Sequence, residues 1–284
     1  MSIKIAEQFF SCQGEGLFCG VPSIFLRTFG CNFTCGSFGL PRGEKSQERF
    51  KIDPTKFTKF EDLPLVKTGC DSYSSWDPRF KHLSPLLEIS AIVDRMVELL
   101  PNGKFSQDVH LILTGGEPLL GWQKQYPALL KEIRDRNLGL RELTFETNGT
   151  QKLCPELYNA LENEWYGNKS VRTTFSVSAK LPCSGEPWEK AILPEVVTSY
   201  TNIVGSQTYL KFVVATDEDL QDVHKAVSQY REEGFCGPVY LMPVGGTEDS
   251  YFKNNKQVAE LAMKYGYRYS PRLQVDLWKN RWAS

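Results

Sequence analysis

The sequence predicts an α/β fold in which strands and helices alternate around a parallel sheet. Short apolar runs such as residues 109–113 are typical of strands that are buried on both faces. Between these runs lie segments with apolar residues at helical spacing, as in residues 86–100. Repeated βα units favour a parallel sheet with right-handed crossovers, either open or curled into a barrel. Since the 284 residues contain no internal repeat and no convincing linker, we expect a single domain over residues 1–284.

The predicted elements follow one another in a regular order. The first strand covers residues 21–29, and a helix over 86–100 ends at the Pro-Asn-Gly sequence of residues 101–103. A strand at 109–113 and a helix at 124–136 come next. Further strands are expected at 143–145, 174–177, 210–214 and 239–242, with helices near 155–163, 217–233 and 252–265, while the interval 187–200 is less clear. In such folds, the loops that leave the carboxyl ends of the strands carry the chemistry.

The composition excludes several classes of function. With 33 basic and 34 acidic residues and a net charge of −1, the chain has no global attraction to nucleic acid or to an anionic membrane. No stretch approaches the roughly 20 apolar residues that span a bilayer, and the first ten residues lack the apolar core of a secretory signal. Eight cysteines are too few for a disulfide scaffold. We therefore expect a cytoplasmic protein that binds neither nucleic acid nor membrane directly.

Residues 36–69 interrupt the alternation of strands and helices. They contain twelve charged residues and three prolines without a clear period. A structureless loop of this length is uncommon inside a compact domain and is usually functional or an insertion. Two interpretations stay open. The segment could be a solvated surface insertion, or it could be a lid or partner-binding surface, because it lies between residues assigned to the site.

Three cysteines are candidates for metal chemistry. Cys31 and Cys35 directly follow the first predicted strand, and Cys70 follows the insertion. Three thiolates on one strand-exit loop can bind an iron–sulfur cluster, which takes soft sulfur ligands. With three protein ligands, one iron of a cubane stays open, as catalysis requires. Taken alone, the Cys31–Cys35 pair is explained about as well by chance or by zinc.

A turn with the sequence TGGEP follows the second predicted strand. Its glycines, Gly115 and Gly116, allow backbone groups to approach a ligand closely. A tight turn would explain two glycines by themselves. Their position at the exit of the strand that follows a three-cysteine loop favours a ligand-binding turn.

Together these motifs resemble the radical S-adenosylmethionine enzymes, and more closely the 7-carboxy-7-deazaguanine synthase family. The most specific block is FSCQGEG at residues 10–16, followed by GVPS at 20–23 and FLRTFGCN at 25–32. Further blocks are CDS at 70–72 with Trp76, TGGEP at 114–118, ETNGT at 146–150 and SAKLPCS at 178–184. LMP at 241–243 and SPRL at 270–273 fit the closing strands. The resemblance spans nearly the whole chain except residues 36–69.

The chain departs from the family pattern at the cluster motif, which is usually CxxxCxxC. Phe38 stands where the third cysteine is expected, and the insertion displaces that cysteine to position 70, since Asp71 and Ser72 follow it as in the family. Lengthening a loop whose ends meet costs only about 0.6 kcal/mol per doubling. Ser72 replaces a threonine but retains the hydroxyl, and Ala179 replaces a proline.

The resemblance implies a partial (β/α)6 barrel of the radical S-adenosylmethionine type and a lyase reaction. The family contracts 6-carboxy-5,6,7,8-tetrahydropterin to 7-carboxy-7-deazaguanine with release of ammonia, on the route to deazapurine nucleosides such as queuosine. A [4Fe-4S] cluster on Cys31, Cys35 and Cys70 would reduce S-adenosylmethionine and release a 5'-deoxyadenosyl radical. The residues implied for binding S-adenosylmethionine are Asp71, Gly116, Ser178, Ala179 and Lys180.

The same resemblance implies a pterin pocket. Arg27 can bind a carboxylate in a bidentate fork, although it could instead pair with a neighbouring acid. Gln13 and Glu15 offer partners for the guanidine-like edge of a pterin. The full implied substrate set is Cys12, Gln13, Gly14, Glu15, Arg27 and Thr114, and Ser72 is the implied Mg²⁺ ligand. An electron donor such as a flavodoxin and a second copy in a homodimer are the implied partners.

Two other functions stay open from the sequence. A glycyl-radical enzyme activase shares the three-cysteine loop and the GGE turn, but it acts on a protein and has no reason to carry QGEG. A non-enzymatic protein could hold structural zinc with the three cysteines and either Cys19 or Cys183. The tail from residue 272 to residue 282 could close over the pocket or mediate dimerisation. The three histidines, His82, His110 and His224, show no partner pattern and are expected to be structural.

Overall fold

Strands and helices alternate along most of the chain in a computed structural model that describes residues 1–165 and 171–283. The strands are β1 (Ser2–Cys12), β2 (Pro22–Thr28), β3 (Leu86–Glu88), β4 (His110–Gly115), β5 (Glu142–Thr147), β6 (Arg172–Val177), β7 (Gln207–Val214), β8 (Val239–Pro243) and β9 (Arg268–Tyr269). The α-helices are α1 (Ile89–Leu99), α2 (Tyr126–Asp135), α3 (Pro155–Asn159), α4 (Trp188–Ala191), α5 (Pro194–Tyr200), α6 (Asp217–Glu232), α7 (Glu248–Tyr251), α8 (Asn255–Tyr265) and α9 (Leu273–Trp278). A π-helical turn, Ala160–Trp165, continues α3.

All these strands join one open sheet in the order β3-β1-β2-β4-β5-β6-β7-β8-β9. From β2 onward each neighbouring pair is parallel, whereas β1 is antiparallel to both β2 and β3. The predicted α/β class is therefore confirmed. The described strands do not close on themselves, because β3 and β9 are the two ends of the sheet.

The strand and helix patterns of the sequence missed three features. β1 was not predicted, because polar residues such as Lys4 and Gln8 interrupt its apolar residues. The helix expected over 86–100 was wrong at its start: residues 86–88 are β3, which pairs with Ser2–Lys4, and the helix begins at Ile89. The less clear interval 187–200 contains α4 and α5. Each miss involves pairing or packing with residues distant in sequence, which local periodicity does not record.

The two faces of the sheet have different surroundings. On β4, Leu111 and Leu113 belong to the main apolar core, which also contains Ile92 of α1. Ile112, which points to the opposite face, packs instead with Phe9 and Phe25. This alternation follows from the period of two along a strand. The helices therefore cover one face, and the other face, which includes Thr114, lines a pocket.

The insertion at 36–69 contains short 3-10 turns at Arg49–Lys51, Pro54–Lys56 and Phe60–Asp62. Apolar residues of its second half pack with residues outside the insertion in a small separate core. The buried members of this core, which we call the insertion core, are Ala6, Phe60, Leu63, Val66, Tyr73, Phe80 and Leu83. The segment is therefore not a plain solvated loop. No helix within the described ranges is long and apolar enough to cross a membrane.

Candidate active site

A pocket opens where the parallel strands end at their carboxyl termini. Nearly every strand contributes a side chain to its wall, among them Glu7, Arg27, Thr114, Glu146, Ser176 and Lys211. A second, partly open cavity of about 810 Å³ adjoins it and shares Phe38 and Val213 with it. The carboxyl ends of parallel strands are where ligands bind in α/β folds.

Cys31, Cys35 and Cys70 lie together on one side of this pocket. All three line it and belong to one apolar cluster with Phe33 and Phe38. The Trp76 Nε1–H donates to Cys70 Sγ at 3.3 Å, and the Phe33 amide donates to Cys31 Sγ at 3.4 Å. N–H groups directed at sulfur are among the interactions that tune iron–sulfur clusters.

The ends of the insertion meet, and this brings Cys70 back to the cysteine loop. The Gly69 amide donates to the Phe38 carbonyl at 2.8 Å, and the Ser46 amide donates to the Gly36 carbonyl at the same distance. Gly69 has φ +81°, a left-handed conformation that glycine adopts without steric cost. The 34 residues from 36 to 69 therefore form a loop whose two ends, next to Cys35 and Cys70, lie side by side.

The three thiols are held in apolar surroundings. Burial raises the pKa of Cys31 to about 12, and it also raises the pKa values of Cys35 and Cys70. Without metal the thiols are therefore protonated, and binding of a metal would release protons. Lys180 is the cation that opposes this shift at all three sulfurs.

Within residues 1–165 and 171–283, no three His, Cys, Asp or Glu side chains form a group that could hold a metal ion. Cys31, Cys35 and Cys70 are nevertheless neighbours at the pocket wall, and an iron–sulfur cluster would take soft sulfur ligands of this kind. The donor set of three thiols beside an open pocket fits a cluster with one open iron.

The turn after β4 packs tightly on the cysteine loop. A Cβ atom at Gly116 would lie 2.4 Å from the Gly30 carbonyl oxygen and 2.7 Å from Cys31 Cβ. The Glu117 amide donates to the same Gly30 carbonyl at 2.8 Å. No side chain fits at position 116, and the backbone of the turn is therefore placed directly beside Cys31.

Glu117 connects this turn to the ETNGT segment after β5. Its fully buried carboxylate accepts hydrogen bonds from Thr147 Oγ1 at 2.7 Å, from the Asn148 amide at 2.6 Å and from the Leu119 amide at 3.0 Å. Burial raises the pKa of Glu117 to about 7, although these donors oppose the shift. Two segments that the sequence suggested for ligand binding are thus held together by a carboxylate that faces inward.

The predicted substrate residues after β1 are already hydrogen-bonded. Gln13 donates through Nε2 to Glu146 Oε1 at 2.9 Å, and its Oε1 accepts from the Glu15 amide at 3.1 Å. The Glu15 carboxylate pairs with Lys211 and with Arg272 Nε at 3.4 Å. Burial opposes ionisation of Glu15, but the two cations outweigh it and lower its pKa to about 2. Glu15 is therefore a charged group in the wall of the pocket.

Gly14 and Cys12 complete this loop. Cys12 lines the pocket, and Gly14 packs against α9, where an added Cβ would lie 1.8 Å from Gln274 Oε1. The Gln274 Nε2 group donates to Glu15 Oε1 at 2.8 Å. The glycine thus allows the close approach that brings Gln274 to the carboxylate.

Arg27 pairs with an acid and faces the pocket at the same time. Its Nε donates to Glu7 Oε2 at 2.8 Å, and one terminal nitrogen lies 3.4 Å from Ser72 Oγ. The Ser72 hydroxyl also lies 3.3 Å from Asp71 Oδ1. Glu7 binds one edge of the guanidinium. Because Arg27 lines the pocket, the other N–H groups of the guanidinium face the pocket. The assignments of Arg27 and Ser72 stay predictions.

The residues expected to bind S-adenosylmethionine are placed unequally. Asp71, Gly116, Ser178 and Lys180 line the pocket, with the Lys180 ammonium donating to Ser178 Oγ at 2.9 Å. Ala179 does not: its side chain is buried in the main core. The expectation for Ala179 can therefore hold only for its backbone, because alternate residues of an extended segment point to opposite faces.

Six charged residues of the pocket wall were given no site role from the sequence. They are Glu7, Lys67, Glu146, Lys211, Arg272 and Arg281. Arg272 donates to Asp71 and to the Gly245 carbonyl. Burial lowers the pKa of its guanidinium, but the carboxylates of Asp71 and Glu15 outweigh burial and raise that pKa. A signal for Lys211 was present, since a lysine inside the apolar run YLKFVV must either face a site or be paired.

Comparison with known proteins supports the resemblance drawn from the motifs. No family model matches the chain. The 7-carboxy-7-deazaguanine synthase of Halobacterium salinarum is 28% identical, over 98% of this chain and 91% of that protein. The protein of the same name from Pyrobaculum aerophilum is 25% identical, over 98% of this chain and 96% of that protein. The crystal structure of QueE from Escherichia coli aligns with a TM-score of 0.56 and 18% identity, covering 96% of this chain and 95% of that one. The resemblance is thereby confirmed over nearly the full length, and the fold is that of the solved structure.

Proposed function

We propose that this chain is a 7-carboxy-7-deazaguanine synthase, which converts 6-carboxy-5,6,7,8-tetrahydropterin to 7-carboxy-7-deazaguanine and ammonia. The observation that carries the proposal is the meeting of Cys31, Cys35 and Cys70 at a pocket that Arg27 and Glu15 also line. Relatives of that name match nearly the entire chain. The activase alternative is not favoured, because the pocket wall contains the QGEG segment that such an enzyme does not need.

The sheet is expected to curl as a partial (β/α)6 barrel of the radical S-adenosylmethionine type. Glu15 follows β1 and Lys211 lies on β7, with β2, β4, β5 and β6 between them in the sheet. Five strand spacings in a flat sheet would separate the two by about 24 Å. Their ion pair therefore supports strong curvature, with the pocket on the concave face.

The pocket has the groups needed for the cluster and its cofactor. When bound, a [4Fe-4S] cluster on the three cysteines supplies the electron that cleaves S-adenosylmethionine to a 5'-deoxyadenosyl radical. Gly116 offers backbone groups at the position where no side chain fits. Lys180, which has no carboxylate partner in the described part of the chain, offers a cation for the carboxylate of S-adenosylmethionine.

The groups of the pterin substrate match charged residues that line the same pocket. Arg27, held at one edge by Glu7, offers its remaining N–H groups to the pterin carboxylate. Glu15, ionised at neutral pH, can accept from the amino and ring N–H groups of the guanidine-like edge. Ser72 and Asp71 provide two neighbouring oxygen atoms for a Mg²⁺ ion that would also take oxygens from the substrate and water.

The implied partners are an electron donor such as a flavodoxin and a second copy of the chain. The product would enter the biosynthesis of deazapurine nucleosides such as queuosine.

Anaerobic reconstitution with iron and sulfide, followed by turnover with the pterin, tests the proposal. We expect a brown protein that forms 7-carboxy-7-deazaguanine and ammonia only when S-adenosylmethionine and a reductant are present. Cleavage of S-adenosylmethionine without conversion of the pterin would refute the substrate. Failure to take up iron, with stoichiometric zinc instead, would refute the cofactor assignment.

A further inference from the structure

The C-terminal segment of residues 279–283, which we call the strap, crosses the pocket. Asn280, Trp282 and Ala283 line the pocket wall. The Asn280 side chain donates to the Gly246 carbonyl, beyond β8, at 2.8 Å. The Ala283 amide donates to Glu7 Oε1, on β1, at 2.9 Å. The strap therefore connects the last large strand of the sheet to the first, across the opening.

Trp282 anchors the strap to the insertion. Its indole N–H donates to the Leu63 carbonyl at 2.7 Å. Its ring makes edge contacts with Phe60 at 4.9 Å and with Tyr73 at 6.0 Å between centroids. Phe60 and Leu63 belong to the insertion core. The insertion thus supplies both the hydrogen-bond acceptor and part of the apolar socket for Trp282.

The backbone of the strap depends on these anchors. Lys279, Asn280 and Ala283 have φ values of +56°, +58° and +60°, the left-handed region that residues other than glycine rarely adopt. Such conformations persist only where the surroundings determine them. A strap without its anchors would therefore relax to other conformations and leave the opening.

The position of the strap is coupled to Arg27. The Ala283 amide binds one oxygen of Glu7, and the other oxygen of the same carboxylate accepts from Arg27 Nε. Docking of the strap thus fixes the carboxylate that orients the guanidinium. A docked strap also covers part of the opening, and exclusion of water from a site protects a reactive intermediate.

We propose that Trp282 is a positioning residue that latches the strap over the pocket, with Phe60 and Leu63 of the insertion as its socket. This assigns a role to residues 36–69, namely to provide the fixed side of the latch. The effect on turnover rests on the proposed function, whereas the latch itself does not.

Limited proteolysis and hydrogen exchange of the reconstituted protein test the latch directly. Lys279 and Arg281 are exposed and are trypsin sites, so cleavage there removes the last residues and is read from the intact mass. In Trp282→Ala and Phe60→Ala we expect cleavage after Lys279 to be at least ~10-fold faster, because cleavage follows the population of the open form. Amides of 279–283 should exchange faster by a similar factor.

Two variants serve as controls. Phe57→Ala removes a ring that packs against the insertion core, while the ring contacts of Trp282 are to Phe60 and Tyr73, so strap cleavage should stay within ~2-fold of the wild type. Trp282→Phe keeps a ring but removes the N–H donor, and it should give an intermediate rate. Phe60→Ala leaves the sequence around the cleavage site unchanged, which excludes an altered protease preference. If Phe60→Ala does not fold, Trp282→Ala decides.

Turnover gives the second readout. In Trp282→Ala we expect a higher KM for the pterin and more 5'-deoxyadenosine formed per product, with a smaller change in kcat. Wild-type rates of strap cleavage and unchanged coupling in both Trp282→Ala and Phe60→Ala would overturn the latch. If the wild type does not convert the pterin at all, the proposed function fails, and cleavage and exchange still decide whether the latch exists.

Discussion

Removal of the Lys211 ammonium should destabilise the fold through Glu15. Lys211 is 3% exposed and contacts the Glu15 carboxylate, with Glu146 and Tyr209 also nearby. Lys211→Met keeps an unbranched side chain of similar length and removes the charge. Glu15 then retains Arg272 Nε at 3.4 Å and Gln274 at 2.8 Å, but it loses its nearest cation.

The expected cost is about 3 kcal/mol of unfolding free energy. Two unit charges 4 Å apart interact by about 4 kcal/mol at an effective dielectric constant of 20. Removing one partner of a buried pair typically costs about 3–5 kcal/mol, because the other charge remains buried. The low end applies here, since Arg272 still faces Glu15.

Urea unfolding of the metal-free chain measures this cost. With a slope of about 3 kcal/mol per molar urea, the midpoint should fall by ~1 M. Lys256→Met is the matched control, because its pair with Glu260 is exposed and should contribute less than about 0.5 kcal/mol. Adding Glu15→Gln to Lys211→Met should recover part of the loss, as expected when both charges of a buried pair are removed. A loss below about 1 kcal/mol, or no recovery in the double variant, would refute the reasoning.

The pH dependence of the unfolding free energy tests independently whether the charge of Glu15 causes the loss of stability. The pKa of Glu15 is lowered from 4.5 to about 2, so its contribution to stability is full above pH 4.5 and is lost as the pH falls from 4.5 toward 2. In Lys211→Met the pKa of Glu15 should rise, because burial is less well compensated. The variant's deficit relative to the wild type should therefore be largest at pH 7 and should shrink on acidification to pH 4. An unchanged deficit would mean that packing, not charge, is responsible.

Three further outcomes are expected. Cys70→Ala should abolish cluster incorporation, measured as iron and labile sulfide per chain, whereas Cys236→Ala, at an exposed thiol, should not; a full cluster in the first variant would reveal another ligand. Arg27→Ala should raise the KM for the pterin by roughly 10- to 100-fold while cleavage of S-adenosylmethionine stays detectable, and unchanged turnover would place the carboxylate site elsewhere. Glu117→Gln should lower the unfolding free energy by about 1–3 kcal/mol, since its amide would face an N–H or O–H donor. Because the pKa of Glu117 is raised to about 7, the stability that this group contributes to the wild type should decline as the pH rises from 4.5 to 7. The variant should lack this pH dependence of its unfolding free energy.

Much of the sheet was predictable from local pattern. The run at 109–113 overlaps β4 except at its first residue, and the run at 210–214 lies within β7, because strands buried on both faces show their apolar character within a few residues. β1 was not predictable in this way. It pairs with β2 and β3, and polar residues interrupt its apolar ones. Its sequence therefore lacks a simple period.

The chemistry of the pocket divides in the same manner. Cysteines, paired glycines and the QGEG segment carry the resemblance to the family through residue type and order. Partners across the pocket, such as Lys211 for Glu15 and Arg272 for Asp71, come from strands or loops far apart in the chain. No local pattern encodes such a pair, because it exists only when distant segments meet in the fold.

The amino-acid sequence by itself determined the alternation of strands and helices and the resemblance to a family. It also indicated which three cysteines are expected to bind a cluster. Only the tertiary structure decided that Cys70 returns to Cys31 and Cys35, that the insertion shares a small apolar core with Ala6 and residues 73–83, and that residues 279–283 lie across the pocket. The physical reason is that residue type and periodicity are local, whereas loop closure and packing depend on which distant segments meet.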